Sequence, residues 1–316
     1  MVNLTFKQLE AVYEVSRSGT ILKAAEVLHV TPAALTSRIK LLENDLGLAL
    51  FDRTGNRLRL TDAGREAAAA AARIQRGISD LAETLDSMKG LHGGRVRFGA
   101  VSTAKYYAPH LIAAFLRDYS RVDLNLVVGN RAETVESLRN YDIDIALMGR
   151  PPADFGAVSQ PFGPHPYVMI SSRDHPLARR KLISKAEIAK EKFIVREPGS
   201  GTRNIFEYFF NAQLLPSPKV MIEMGSNETI KQAVMAGLGI SLISAHTTAA
   251  EIESGRVVGL KIEGLPIVRQ WFVVRRSDRD LPPAGRALWN FIVTKGSTFL
   301  PSQAVSQSLR RKMKRK

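Results

Sequence analysis

Between residues 4 and 47 the apolar positions recur at helical spacing in three short runs. Phe6, Leu9, Val12 and Tyr13 stripe the first, and Gly19 ends it. Thr20 can cap the second, whose Ala24–Ala25 pair lets another helix approach closely, and which ends near His29 and Val30. Thr31 caps a third helix, with Pro32 at its first position, where a missing N–H costs nothing. On this third helix Leu35, Ile39, Leu42 and Leu46 share one face, and Ala33, Thr36, Ser37, Lys40 and Asn44 lie opposite. Small residues let such a helix sink into a major groove, where hydroxyl and ammonium groups reach phosphates and base edges. Thr31, Pro32, Ala33, Thr36, Ser37, Arg38 and Lys40 are therefore candidate DNA contacts of a helix-turn-helix. Leu50 to Thr61 then reads as a hairpin with Gly55–Asn56 at its tip, and Arg53, Arg57 and Arg59 make it a candidate basic wing. A solvated polar face on a small bundle is the alternative for both elements.

From Asp62 to about Lys89 there is no proline, and Ala67, Ala71, Ile74, Ile78, Leu81, Leu85 and Met88 follow a heptad rhythm. The pattern predicts one long linker helix. Its seam needs cover, either from its own domain or from a second copy of the chain. The preferred reading is a homodimer coiled coil through Ile74, Ile78, Leu81, Leu85 and Met88, pairing two heads for a two-fold DNA site. His92-Gly93-Gly94 breaks the helix. The expected organisation is a DNA-binding domain over 1–61, a linker over 62–91, an α/β domain over 92–295 and a polar, basic, disordered tail over 296–316.

Beyond residue 94 the pattern alternates strands with helices. Strands are predicted at 96–101, 124–128, 143–148, 167–171, 193–196, 220–223, 240–243, 257–262 and 268–274, implying a mainly parallel sheet. The loops after these strands collect hydroxyls, glycines and cations. Ser102, Thr103 and Lys105 follow the first, Asn130 and Arg131 the second, and Met148, Gly149 and Arg150 end the third. Glu197, Gly199, Ser200, Gly201, Thr202 and Arg203 open one helix, and Ser226 and Asn227 another. Free N–H groups at helix starts, hydroxyls and guanidinium groups suit an anion such as phosphate or carboxylate. Helix capping and internal ion pairs, with Glu197 and Glu228 as acceptors, are the plainer uses of the same residues.

Charge strengthens the polyanion reading. Across 316 residues, 45 Lys+Arg face 30 Asp+Glu, a net +15, and the last 21 residues carry six basic and no acidic side chains. There is no cysteine, which excludes disulfides, thiolate metal sites and cysteine nucleophiles. The six histidines lack metal-protease spacing, and no metal site is expected. Gly237-Leu238-Gly239 follows a helix instead of opening one, and Gly199-Ser200-Gly201 lacks the nucleophile-elbow spacing. No enzyme is expected. The start has no secretory pattern and no run spans a membrane, so the expected location is cytoplasmic, with the nucleoid.

The head resembles the LysR-type transcriptional regulators. Ala24-Ala25, Leu28-His29-Val30-Thr31, Ala34-Leu35, Ile39, Leu42-Glu43, Leu46-Gly47, Leu50-Phe51, Arg53 and Leu60-Thr61-Asp62-Ala63-Gly64 carry the likeness. Members of that family often open the recognition helix with Ser-Gln-Pro; this chain has Thr31-Pro32-Ala33, without the glutamine. Asp174-His175-Pro176-Leu177-Ala178 and Val234 to Ile240 extend the resemblance to about residue 295. More narrowly, Ser102 to Tyr106, Met148 to Pro152, Arg196 to Arg203, Gly225 to Glu228 and Leu265 to Trp271 resemble the subgroup controlling RuBisCO, or Calvin-cycle, operons. The resemblance implies a winged helix-turn-helix joined to two Rossmann-like lobes, as in periplasmic binding proteins. Lobe I would span about 95–162 and 268–295, and lobe II about 163–267, with crossovers near 162–166 and 266–268. It also implies a homodimer or homotetramer on a promoter inverted repeat of double-stranded DNA, RNA polymerase as partner, and activation of carbon-fixation genes. No cofactor would be required. The effector would be a reversible one, a phosphorylated sugar metabolite or NADPH. A regulator of another metabolic operon, or a non-specific architectural DNA-binding protein, is the alternative.

Overall fold

The computed structural model describes residues 4–54, 57–88, 93–211 and 221–301. The hairpin tip at Gly55–Asn56, His92, the side chains of Arg53, Arg57 and Met88, and the basic tail from residue 302 lie outside that description. The chain divides into two units, residues 1–91 and 92–316.

In the first unit, α1 (Phe6–Ser18) opens with a capping box, in which the Thr5 side chain accepts from the Gln8 N–H and Gln8 accepts from that of Thr5. Gly19 closes it at a φ of +72°. Thr20 and Thr31 cap α2 (Ile21–Val27) and α3 (Pro32–Leu46) through their hydroxyl oxygens. Leu9, Val12, Val15, Ala24, Ala25, Leu35, Ile39 and Leu42 form the common core. The hairpin is antiparallel, with β1 (Phe51–Thr54) paired to β2 (Arg57–Leu60).

One helix, α4 (Asp62–Met88), follows directly. Thr61 joins it to the hairpin: its hydroxyl donates to the Ala49 carbonyl (2.7 Å) and accepts from the Gly64 N–H (2.9 Å). A Cβ on Gly64 would lie 2.0 Å from the Leu50 carbonyl oxygen, so only glycine allows this approach. The run of alanines that follows has small side chains and high helix propensity. Ala68, Ala71 and Ala72 are buried, Ala68 and Ala71 within the head core. Beyond them the seam surfaces: Ile74, Ile78, Leu81 and Leu85 are 43–59% exposed.

The second unit contains β3 (Gly94–Val101), α5 (Ala108–Asp118), β4 (Val122–Gly129), α6 (Arg131–Arg139), β5 (Ile145–Met148) and β6 (Ala157–Ser172). Next come α7 (Lys185–Ile188), β7 (Phe193–Arg196), α8 (Gly201–Asn211), β8 (Met221–Met224), α9 (Asn227–Met235) and β9 (Ser241–Ser244). It closes with α10 (Ala249–Glu253), β10 (Val257–Leu260), β11 (Ile267–Arg276) and α11 (Pro283–Lys295). Parallel pairing holds β3 to β4 and β5, and β7 to β8. The expectation of a mainly parallel sheet needs correction, because β6 pairs antiparallel with β9, β10 and β11. The reason is connectivity. Two long strands carry the chain between the lobes, and they run side by side from Ile267 opposite Tyr167 to Arg276 opposite Ala157.

Two sets of apolar residues result. One gathers β3, β5, α5, α11 and Trp271; the other lies around Phe193, Phe206, Phe210, Ile194, Val234 and Ile243. The tail also begins later than expected. Gly296–Phe299 form a 3₁₀ turn, and Phe299 and Leu300 pack on the first core because they are apolar residues next to its open edge. No helix among the described residues is long and apolar enough to cross a membrane.

The Gly64 contact yields a test. Gly64→Ala places a methyl against backbone that cannot move aside, and should destabilise the head by about 1–3 kcal/mol. Thermal melts should show this loss while the α/β unit keeps its transition. An unchanged head would mean that the hairpin and α4 are not locked together here.

Candidate functional site

On α3 the outward positions Thr31, Pro32, Ala33, Ser37 and Lys40 are exposed, while Thr36 and Arg38 are half-buried. Thr36 donates to the Pro32 carbonyl (2.8 Å), leaving its oxygen able to accept. Arg59 is exposed on β2. The helix therefore offers a convex, polar, basic face whose shape is held by the leucines beneath it.

In the α/β unit a cavity of about 650 Å³ opens where β3, β5 and β7 end. Of the residues singled out from sequence, Ser102, Thr103, Arg131, Gly149, Arg150, Ser200, Gly201 and Thr202 line it. Gly199 sits beside it at a φ of +84°, and its carbonyl accepts from the Ala132 N–H (3.1 Å), bringing the starts of α6 and α8 together. The remaining candidates have other partners. Lys105 bonds Glu228 (2.5 Å), Asn130 caps α6, and Met148 is fully buried in β5. Glu197 takes two bonds from Arg196 at 2.7 Å, and Arg203 bridges Glu207 and Glu223. Ser226 caps α9, and Asn227 accepts from Arg196 (2.6 Å).

Sequence reasoning missed the floor and one wall. His165 and Tyr167 from β6, Asn204, Ile205 and Tyr208 from α8, and Val268, Arg269, Gln270 and Phe272 from β11 also line the cavity. The available signal was the position of these residues at the crossover strands, but strand pairing over a hundred residues apart is not written in either segment alone.

The charges are one-sided. Arg131 donates to the carbonyls of Arg150 and Pro151 (both 3.3 Å), and no carboxylate among the described residues lines the cavity. Burial, and then the Arg150 charge, hold the Arg131 pKa below the usual arginine value, against the opposing pull of Asp154. Arg269 sits over the Tyr208 ring at 4.8 Å. Ser200 and Thr202 are buried at the start of α8, where the Thr202 N–H donates to the Ser200 hydroxyl (3.3 Å) and the helix carries partial positive charge. Three guanidinium groups, hydroxyls and a helix start thus converge on one space beside an apolar wall.

Beneath this lies an aromatic stack. The His165 ring lies 3.8 Å from Trp271 at 12°, and the Trp271 indole donates to Nδ1 of His246 (3.0 Å). His165 Nε2 meets the Ser244 hydroxyl (3.0 Å). Burial holds the His165 pKa well below its usual value and brings that of His246 down to about 4. Both rings are neutral at pH 7. The unfolded chain takes up these protons near pH 6.5, so stability is full above about pH 7 and falls as pH drops toward 4. For His246 alone the loss by pH 5.5 is about 1 kcal/mol. Melting temperature of the α/β unit should therefore decline from pH 7.5 to 5.5, and His246→Asn, whose Oδ1 still accepts from Trp271, should flatten the decline. A profile equally steep in the variant would remove His246 as its source.

The comparisons with known proteins agree with this architecture. The profile of the bacterial regulatory helix-turn-helix protein, lysR family, matches residues 6–65, and that of the LysR substrate binding domain matches residues 89–297. The chain is 49% identical over 301 residues to the HTH-type transcriptional regulator CbbR of Rhizobium meliloti, covering 95% of this chain and 96% of that one. It is 38% identical over 296 residues to the RuBisCO operon transcriptional regulator of Allochromatium vinosum, covering 94% and 98%. Among solved structures, the CcmR regulatory domain of Synechocystis in complex with 2-PG superposes with a TM-score of 0.61 at 34% identity, over 63% of this chain and 96% of that one. A full-length OxyR variant from Pseudomonas aeruginosa, at 21% identity and a TM-score of 0.72 over 96% and 98%, shares the fold. With a regulatory helix-turn-helix at one end, a ligand-binding α/β unit at the other and relatives that are regulators and not enzymes, the chain belongs to the LysR family of transcriptional regulators.

Proposed function

We propose that this regulator controls carbon-fixation genes of the RuBisCO operon type, and that a small phosphorylated metabolite in the α/β cavity sets its state on DNA. The observation that carries the ligand reading is the trio Arg131, Arg150 and Arg269, which face one cavity that no carboxylate among the described residues lines. A dianion there relieves repulsion between Arg131 and Arg150 and gains charge-assisted bonds. The names of the relatives support the operon, and the 2-PG complex of the CcmR domain supports a phosphate-bearing ligand. Ser102, Thr103, Arg131, Gly149, Arg150 and the Ser200–Thr202 turn would hold the anion, and Tyr208, Ile205 and Phe272 would cover its carbon skeleton.

On the DNA side, Ser37, Lys40 and Arg59 reach phosphates and base edges, and Ile74, Ile78, Leu81 and Leu85 join two copies into the dimer, or dimer of dimers, that an inverted repeat requires. The ligand prefers one arrangement of the lobes, and that preference shifts the spacing of paired heads and the recruitment of RNA polymerase. The work is done in the cytoplasm, on nucleoid DNA.

Gel shift and footprinting on the chain's own upstream DNA, with 2-phosphoglycolate, ribulose bisphosphate and NADPH as separate additions, test this reading. A discrete footprint over an inverted repeat, altered by one of them, is expected; diffuse, salt-sensitive coating would favour an architectural protein instead. Arg131→Ala should weaken the active ligand about 10- to 100-fold and leave DNA affinity without ligand unchanged. Undiminished ligand affinity in that variant would remove the cavity as the site. Separately, Leu81→Lys should dissociate the protein in sedimentation and lose the paired footprint; an unaltered sedimentation coefficient would mean that the seam is covered some other way.

A further inference from the structure

Arg196 is almost wholly buried, at 2% exposure, and lies at the end of β7 in the second lobe, outside the cavity lining. Glu197 takes bonds from its Nε and one Nη at 2.7 Å, which balances the charge. The other Nη donates to the Asn227 amide oxygen of its own lobe at 2.6 Å and, across to the first lobe, to the Ser102 hydroxyl at 3.3 Å. Ser102 itself lines the cavity. A hydroxyl has one proton and two lone pairs. Because its oxygen already accepts from a guanidinium, its proton is free to be donated, and accepting from a cation makes that proton a stronger donor.

We propose that Arg196 is a positioning residue for ligand binding: it never touches the ligand, but by donating to Ser102 across the cleft it turns that hydroxyl toward the anion and ties anion binding to approach of the two lobes. The inference rests on the reading of the cavity as the anion site. Its direction is reciprocal. An anion that accepts from Ser102 makes the serine oxygen a better acceptor for Arg196, so binding shortens a bond that is long at 3.3 Å, and that bond joins β7 of one lobe to the loop after β3 of the other. Asn227 competes for the same Nη hydrogens, and Glu197 draws on the same charge; both set how much of the guanidinium reaches Ser102.

The test is a calorimetric titration of the full chain with 2-phosphoglycolate and with inorganic phosphate, on wild type, Ser102→Ala, Arg196→Lys, the double variant and Glu197→Gln. Arg131→Ala is the control for the cavity. Ser102→Ala and Arg196→Lys should each weaken the anion about 10-fold, and the double variant should be no more than about 3-fold weaker than either, because the two act in series. Glu197→Gln keeps the shape but frees the guanidinium charge, and should tighten binding about 3-fold. That variant decides the matter if Arg196→Lys does not fold. Multiplicative losses in the double variant, or a folded Glu197→Gln that binds no tighter, overturn the relay and leave the cavity reading intact when Arg131→Ala still loses the anion. Binding unaffected by Arg131→Ala, or no binding of either anion by wild type, overturns the cavity reading and the relay with it.

Discussion

The α/β unit depends on the antiparallel pairing of β6 with β11. Their pairing runs without a loop from one lobe into the other, so the cavity floor is a paired ribbon and not a gap between two bodies. Sheet hydrogen bonds are costly to leave unmade in a buried place. The ladder is interrupted between Trp271 and Phe272, where the register shifts, and Pro161, Pro164 and Pro166 of β6 have no N–H to give it. The stack of His165, Trp271 and His246 sits on the middle of the ribbon and joins both strands to the turn after β9. A floor held this way gives the cavity walls a fixed reference.

Electrostatics complements the mechanics. Several cations of this unit are already spent on carboxylates: Lys105 on Glu228, Arg196 on Glu197, Arg203 on Glu207 and Glu223, Arg279 on Asp144. Those facing the cavity are not, which separates structural arginines from available ones better than sequence position does. The starts of α6 and α8 meet there too, and their N–H groups add to the same field.

How much of this was legible in the sequence varies with the range of the interaction. The head was, because its determinants are local: Thr31 and Pro32 cap α3 where expected, Gly19 ends α1, and the Leu35–Ile39–Leu42 stripe faces the core. Most strand positions were also visible, and with them the hydroxyl-rich loops at their ends, but β6 begins at Ala157, ten residues before the strand read at 167–171. Pairing was not. Nothing near Lys105 announces that Glu228 will claim it, and nothing near Arg269 announces that it will stand over Tyr208, since both depend on how distant strands come into register. Phe299 and Leu300 are followed by a polar, basic stretch, and nothing local shows that the first core has an open edge for them to cover.

The contact between Gly64 and the Leu50 carbonyl welds the wing to the first turn of α4, leaving no slack at the joint. The 27 residues of that helix span about 40 Å, at 1.5 Å of rise each. A weld at one end of a rod makes it a lever. Tilting the rod by about 5° carries the far end through roughly 3.5 Å, close to the distance between neighbouring base pairs. Because Gly64 fixes the wing to α4 and Ala68 and Ala71 of α4 lie in the head core, a rotation of the rod is carried undamped into the reading helix.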